Sequence, residues 1–418
     1  MKNFLNFIYI LIFSIILGLL ALVLVYCFPA RRMEVNVRSS IDVFYTESVY
    51  PQQDTGYKSS QLDNETDAIM LLEAIYNDKQ LSPLEKALRV SRIDFTDTGS
   101  CCIDHIQYAW ENKIPDQVTD YTRYWHGYMV WLKPLLLLMD YADIRMLNMI
   151  FQILLLLLFV KNLVEKHLTK YLLPFAMALI VLNPAATAMS LQFSSIYYIM
   201  LISMIIILKK HEYFYSRKLY PYVFFTLGII TVYFDFLTYP MAALCMPLIL
   251  VVILEHESSN MSWLQNIQQI ILLGICFGFG YVIMWFSKWL ISSAILHENI
   301  IANAISEFTL HTGETIIEGE RITKIGAIIR NLKVLCKWPY LLILGSYFIY
   351  CLFQISWFEI KKQLLMILPV FCICLVPLAW IFVTSSHASW CYWYTYRGFI
   401  VSVFGVFSAL KMLPQKES

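Results

Sequence analysis

Long stretches without a single charged side chain dominate this chain, and one of them, Phe4–Cys27, stands at its start. A helix needs about 20 apolar residues to cross a hydrocarbon core of about 30 Å. This run is long enough, and it lacks a small-residue cleavage site before Pro29, so it reads as a retained span and not as a signal peptide. Only 15% of the residues are charged, against about 25% in an ordinary soluble domain. The expected fold class is an all-α polytopic membrane protein, with about ten transmembrane helices and a large helical loop after the first span.

A hydropathy walk places spans near 4–27, 144–164, 171–189, 191–208, 220–235, 237–254, 266–290, 338–356, 364–383 and 398–412. Prolines 174, 184, 240 and 247 are positions where the third to sixth spans can kink or split. Five regions follow: the first span (1–28), a polar loop (29–127), an interfacial segment with the central bundle (128–290), a second polar segment (291–337) and a C-terminal bundle (338–418). Lys161, Lys166, Lys170, Lys209, Lys210, Arg217, Lys218, Lys361, Lys362, Lys411 and Lys416 all fall on one side of these spans. By the positive-inside rule that side is cytoplasmic, with both termini, and the 29–127 loop lies outside. No basic tract suits nucleic acid, so no nucleic-acid partner is expected; the expected partner is membrane lipid.

The 29–127 block holds 16 of the 30 acidic residues and 10 basic ones. It reads as structured. Ala68, Leu71, Leu72 and Ile75 share one helical face, and Ser82, Pro83 and Glu85 spell a capping box. Ile300–Leu310 and Ile322–Val334 read as amphipathic helices of the second polar segment.

Three strings carry candidate chemistry. Asp63-Asn64-Glu65-Thr66-Asp67 sits directly before an apolar-periodic run. Acids there suit the positive end of a helix; equally, Asp63, Asp67 or Glu65 can act as a general base, and Asp63 with Asp67 can hold a divalent cation such as Mg²⁺ or Mn²⁺. Tyr121–Tyr128 and the following Trp131–Pro134 form an aromatic belt in which Arg123, His126 and Lys133 can meet a lipid phosphate. The run 127–139 is too short to span and reads as interfacial or re-entrant. In the turn Ser385–Arg397, Arg397 is placed against the positive-inside bias and needs a partner, a phosphate or a loop carboxylate, and His387 can add a second donor. Asp235, at the end of the fifth span, and Glu34, the acid nearest the first span, are further candidates. Asp140, Asp143 and Arg145 are expected to pair with one another.

This layout of one span, an acid-bearing outer loop with amphipathic helices, and many spans joined by short turns resembles the GT-C class of membrane glycosyltransferases. The resemblance is architectural and covers the whole chain. It implies a sugar donor linked to polyprenyl phosphate, a catalytic or metal-binding carboxylate in the first outer loop, and a multi-pass protein of the bacterial plasma membrane. In that class the carboxylate stands close behind the first span, whereas here the Asp63–Asp67 cluster lies well down the loop, which leaves the base open between the cluster and Glu34. The alternatives are a transporter or flippase, or a polymerase or ligase, for a lipid-linked glycan.

The charge pattern gives a direct expectation. In a cysteine-free background, cysteine placed at Glu318 is labelled by an impermeant reagent in intact cells and cysteine at Ser418 is not; the reverse pattern contradicts the orientation.

Overall fold

The computed structural model describes residues 2–95, 101–111, 113–258, 262–357, 360 and 363–416. The chain is mostly helical. The first apolar run is α1 (Lys2–Tyr26). The polar block forms α2 (Ala30–Ser39), α3 (Ile41–Glu47), α4 (Asn64–Ile75), α5 (Pro83–Arg89) and α6 (Cys102–Trp110), with a small ribbon of β1 (Arg92–Asp94) and β2 (Gln117–Thr119). The short helix α7 (Met129–Leu136) leads into α8 (Tyr141–Glu165), α9 (Leu172–Leu182), α10 (Pro184–Met189), α11 (Leu191–Ser216), α12 (Tyr220–Phe234), α13 (Met241–Glu257) and α14 (Trp263–Leu296). The second polar segment holds α15 (Ile300–Thr312), a hairpin of β3 (Thr315–Ile317) and β4 (Glu320–Ile322), and α16 (Lys324–Leu335). The chain closes with α17 (Trp338–Gln354), α18 (Leu368–Cys374), α19 (Val376–Val383), α20 (Ser385–Trp390), α21 (Tyr392–Thr395) and α22 (Ile400–Met412).

Among the described residues, five helical segments are long and apolar enough to cross a membrane: Phe4–Tyr26, Tyr141–Glu165, Leu191–Ser216, Trp263–Leu296 and Leu364–Val383. A sixth arises if α16 and α17, bent by 84° at their junction, count as one. The other expected spans are helical but shorter. Residues 171–189 are split where Asn183 turns left-handed (φ 48°) and Pro184 starts α10; proline suits the first turn of a helix because no partner is lost there. Pro240 caps α13, and Pro247 is accommodated inside it. Lys361 and Lys362 lie outside the described residues.

The local rules operate as the sequence implies. Ser82 and Glu85 form a reciprocal capping box on α5, and Asp63 caps α4 by accepting from Thr66 N at 3.0 Å. The two ribbons were not expected. β1 and β2 pair antiparallel with Arg92 opposite Thr119, and β3 turns into β4 through Glu318 and Gly319, both at positive φ. Such a two-residue turn matches the twist of a hairpin.

The polar block is not a separate unit: it is seated on the bundle. Trp125 Nε1 donates to Met284 O at 2.8 Å, Trp285 and Trp289 both donate to Arg123 O, and Gly127 N donates to Tyr233 O at 2.8 Å. Beneath that junction α12 and α14 cross with backbones nearly touching. A Cβ at Gly228 would lie 2.1 Å from Phe277 O, and one at Gly280 would lie 2.2 Å from Phe225 O. Small residues are the general means by which spanning helices approach this closely.

Overpacking of this kind costs about 1–3 kcal/mol or more. Gly280→Val therefore lowers the yield and thermal midpoint of purified protein, while Gly274→Ala, whose Cβ would meet nothing within 4 Å, leaves both unchanged. Equal behaviour of the two variants contradicts the crossing.

Candidate functional site

The three acids of the 63–67 string are buried or half-buried, and each faces the amino end of a helix. Asp63 caps α4 itself. Glu65 reaches sideways to accept from Cys102 N, the first amide of α6, at 3.0 and 3.1 Å. Asp67 is fully buried and accepts from Leu191 N at 2.9 Å and Gln192 N at 3.3 Å, the opening amides of α11, and from the Tyr141 hydroxyl. A helix amino end carries free N–H groups and about half a unit of positive charge, so a carboxylate there is doubly satisfied. Burial still raises Asp67 to about 6, against the lowering effects of Arg145, Tyr141 and the Leu191 amide. Burial likewise raises Asp63, with the Thr66 hydrogen bonds opposing it. Among the described residues no three His, Cys, Asp or Glu side chains converge as metal ligands. With Asp67 already holding three donors, Asp63 and Asp67 do not fit a cation site.

The candidate cations divide the same way. Arg397 is fully buried; Nε donates to Leu182 O at 3.1 Å, Nη1 to Trp393 O at 2.8 Å and Nη2 to Ser59 O at 3.4 Å, and the guanidinium stacks 4.1 Å above Phe193. Its partners are thus carbonyls, with Leu182 ending α9. Lys133 is buried and donates to Ala74 O, at the carboxyl end of α4, at 2.6 Å. Arg123 differs: its side chain keeps 18% exposure, pairs with Glu307 at 3.4 Å and lies over Tyr121. His387 Nε2 donates to Leu237 O at 3.1 Å, and its ring lies 5.3 Å from that of His311. Burial lowers His387 to about 4, with His311 adding to the effect.

Asp235 is buried and closes a local turn, accepting from Thr238 N at 3.1 Å and from the Thr238 hydroxyl. Glu34 is half-buried on α2. Arg145 does not pair with Asp140 and Asp143 as expected; Asp140 caps α8 instead, while Arg145 takes Glu47 at 2.8 Å and Asn64 Oδ1 at 2.6 Å. Three-residue spacing at a helix start favours the cap over the ion pair.

Asp63 therefore belongs to a polar cluster built from distant segments. Its amide donates to Ser190 Oγ at 3.1 Å, and its charge disfavours ionisation of the nearby Tyr50, Cys391 and Tyr394, each of which burial raises first. The Tyr394 ring lies 6.0 Å from that of His387. Arg123, Glu307, His311 and His387 carry the cluster on through α15 and α20.

Sequence reasoning missed two buried ionisable groups here. Glu73 is buried between Leu72 and Ala74 within α4, and its signal was an acid inside an apolar-periodic helix. Lys288 is buried in α14 and donates to Leu88 O at 2.9 Å, near the carboxyl end of α5; a charge inside an apparent span was the available signal.

Beside this cluster lies an apolar groove of about 990 Å³ between α7, α8, α11 and α12. It runs from Trp131 and Ile144 past Asn148 and Ser194 to Ile206 and Tyr222. Ser194 in its wall is one helical turn from the amides that hold Asp67. Comparison with family models, curated proteins and solved structures finds no match for this chain.

The geometry separates the two aspartates. Asp67→Asn turns an NH₂ group toward amide donors, a loss worth about 1–3 kcal/mol for a buried group. Asp63→Asn keeps a competent cap. Thermal melts of the full-length protein in detergent should show a lower midpoint for Asp67→Asn than for Asp63→Asn, and equal tolerance contradicts the assignment of Asp67 to α11.

Proposed function

We propose that this chain is an integral-membrane glycosyltransferase that moves a sugar from a polyprenyl-phosphate donor to an acceptor on the outer face of a bacterial plasma membrane. In this reading the ten apolar segments all cross or enter the bilayer, both termini are cytoplasmic, and the polar block lies outside. The observation that carries it is the apolar groove, one of whose lining residues, Ser194, lies one turn of α11 from the amides that hold Asp67. A long isoprenoid chain needs a slot of that kind at membrane depth, and its phosphate must then reach a polar, membrane-level site.

Asp63 is the proposed base. It takes the proton of an acceptor hydroxyl as that oxygen bonds to the anomeric carbon and the polyprenyl phosphate leaves with the electron pair of the broken C–O bond. Its raised affinity for protons suits it to that exchange, the cause being burial. Arg123, with its partly exposed guanidinium, is the proposed partner of the phosphate, exchanging Glu307 for the donor. Arg397 is proposed to act by holding Ser59, four residues before Asp63, in place.

A positioned base is worth about 10²–10⁴-fold in rate. Asp63→Asn should therefore leave the protein at normal abundance and reduce transfer of labelled sugar from polyprenyl phosphate to the cell envelope at least a hundredfold. Normal transfer in that variant contradicts the base assignment. Normal transfer in a variant whose groove is blocked by Ser194→Trp removes the donor-chain reading and leaves a transporter or ligase as the alternative.

A further inference from the structure

Glu73 is a buried carboxyl with an unusual set of neighbours. Its Oε2 is hydrogen-bonded to the Tyr128 hydroxyl, while Oε1 is buried without any hydrogen-bond partner. Arg92 Nη1 stands 3.7 Å from Oε1, too far for a hydrogen bond. Tyr128 in turn contacts His126 Nδ1 at 2.8 Å, and His126 Nε2 contacts Tyr121 O at 2.9 Å. All of Glu73, His126 and Tyr128 are buried.

Counting protons along this chain restricts it to two states. A carbonyl only accepts, so Nε2 carries hydrogen and donates to Tyr121 O. If His126 is neutral, Nδ1 is an acceptor, and Tyr128 O–H must donate to it. The Tyr128 oxygen then has no proton left for Glu73, so the Glu73–Tyr128 contact requires a hydrogen on the carboxyl. The other state pairs a Glu73 carboxylate with a His126 imidazolium. Two observations weigh against that one. A buried carboxylate needs several donors, as Asp67 has, and Glu73 has one. Burial opposes a positive charge on His126, and the charges of Lys288, Arg123 and Arg92 add to that against the Tyr121 carbonyl.

We infer that Glu73, Tyr128 and His126 form a buried proton wire in which Glu73 rests as a neutral carboxylic acid. Passing the proton breaks the Glu73 O–H bond and forms one on Tyr128, as the Tyr128 O–H breaks and an N–H forms on His126 Nδ1. The product is the carboxylate–imidazolium pair, a transient state with unchanged net charge from which the proton returns by the same path. The wire ends at the Tyr121 carbonyl, which accepts the Nε2–H and takes no proton, so the proton is shared among Glu73, Tyr128 and His126. The site is a buried acid–base group beneath the aromatic segment, and it does not depend on sugar transfer.

The groups facing Glu73 are Tyr26 from α1, Arg92 from β1, and Tyr121, His126 and Tyr128 from the aromatic segment. Burial outweighs the Tyr128 hydrogen bond and Arg92, and raises Glu73 to about 8. Stability contributed by a carboxyl raised in this way is complete below its ordinary 4.5 and is lost as pH rises to about 8. The thermal midpoint of the wild-type protein should thus fall relative to Glu73→Gln across that window.

The direct test is infrared spectroscopy of the full-length protein in nanodiscs at neutral pH, with and without ¹³C-labelled glutamate. The expected result is a protonated carboxylic C=O band that shifts with the glutamate label, persists when the other fully buried glutamate, Glu255 in α13, is changed (Glu255→Gln), disappears in Glu73→Gln and moves in Tyr128→Phe. Glutamine keeps a donor toward Tyr128, so Glu73→Gln retains the local geometry; if it fails to accumulate, the labelled wild-type band and its Tyr128→Phe shift decide. Absence of a glutamate C=O band at neutral pH, or a band indifferent to both substitutions, overturns the wire.

Discussion

The arrangement depends on charge held at buried helix ends. Asp67 and Glu65 satisfy the amino ends of α11 and α6, Asp63 that of α4, and Lys133, Lys288 and Arg397 the carboxyl ends of α4, α5 and α9. Each contact joins an orphaned backbone group to a side chain of complementary charge. In a low-dielectric setting such a pairing is strong when made and costly when broken, because the backbone group and the charge are both left without a partner. The polar block cannot lift from the bundle without breaking several of them together.

This bears on what the acidic string means. Three carboxylates in five residues suggest a catalytic or metal-binding loop, yet each is aimed at a helix amino end. The oxygens of Asp67 already serve three donors, which leaves little room for an acceptor hydroxyl; Asp63, held by Thr66 with Gln192 alongside, has fewer backbone donors to displace. Chemistry at this site is therefore assigned by the occupancy of each oxygen and not by the density of acids along the chain. The same criterion distinguishes Arg123, partly open and held by a single carboxylate contact, from Arg397, engaged by three carbonyls.

Local rules were legible in the sequence because they act over three or four residues. The capping box at Ser82, the apolar face of α4 and the helical nature of the long apolar runs all follow from spacing. Partners set by tertiary contact were not. Arg145 stands beside Asp143 in the chain but bonds Glu47, nearly a hundred positions away, because α3 is packed against the start of α8. Lys133 read as a cation for a lipid phosphate, since nothing in its neighbourhood along the chain announces the carbonyl of Ala74. Glu73 and Lys288 carried a signal that can be used again: an ionisable residue inside an apolar-periodic stretch is held there by a specific partner or by a proton.

Hydrogen–deuterium exchange on the full-length protein in detergent tests the helix-end account most directly, comparing wild type with Lys288→Met and Lys133→Met. Methionine keeps the bulk of the side chain and removes the donor. If buried charges at helix ends hold the block down, α4 and α5 lose protection together in both variants, while α12 and α14 exchange as in the wild type. Unchanged protection across residues 64–89 would contradict it.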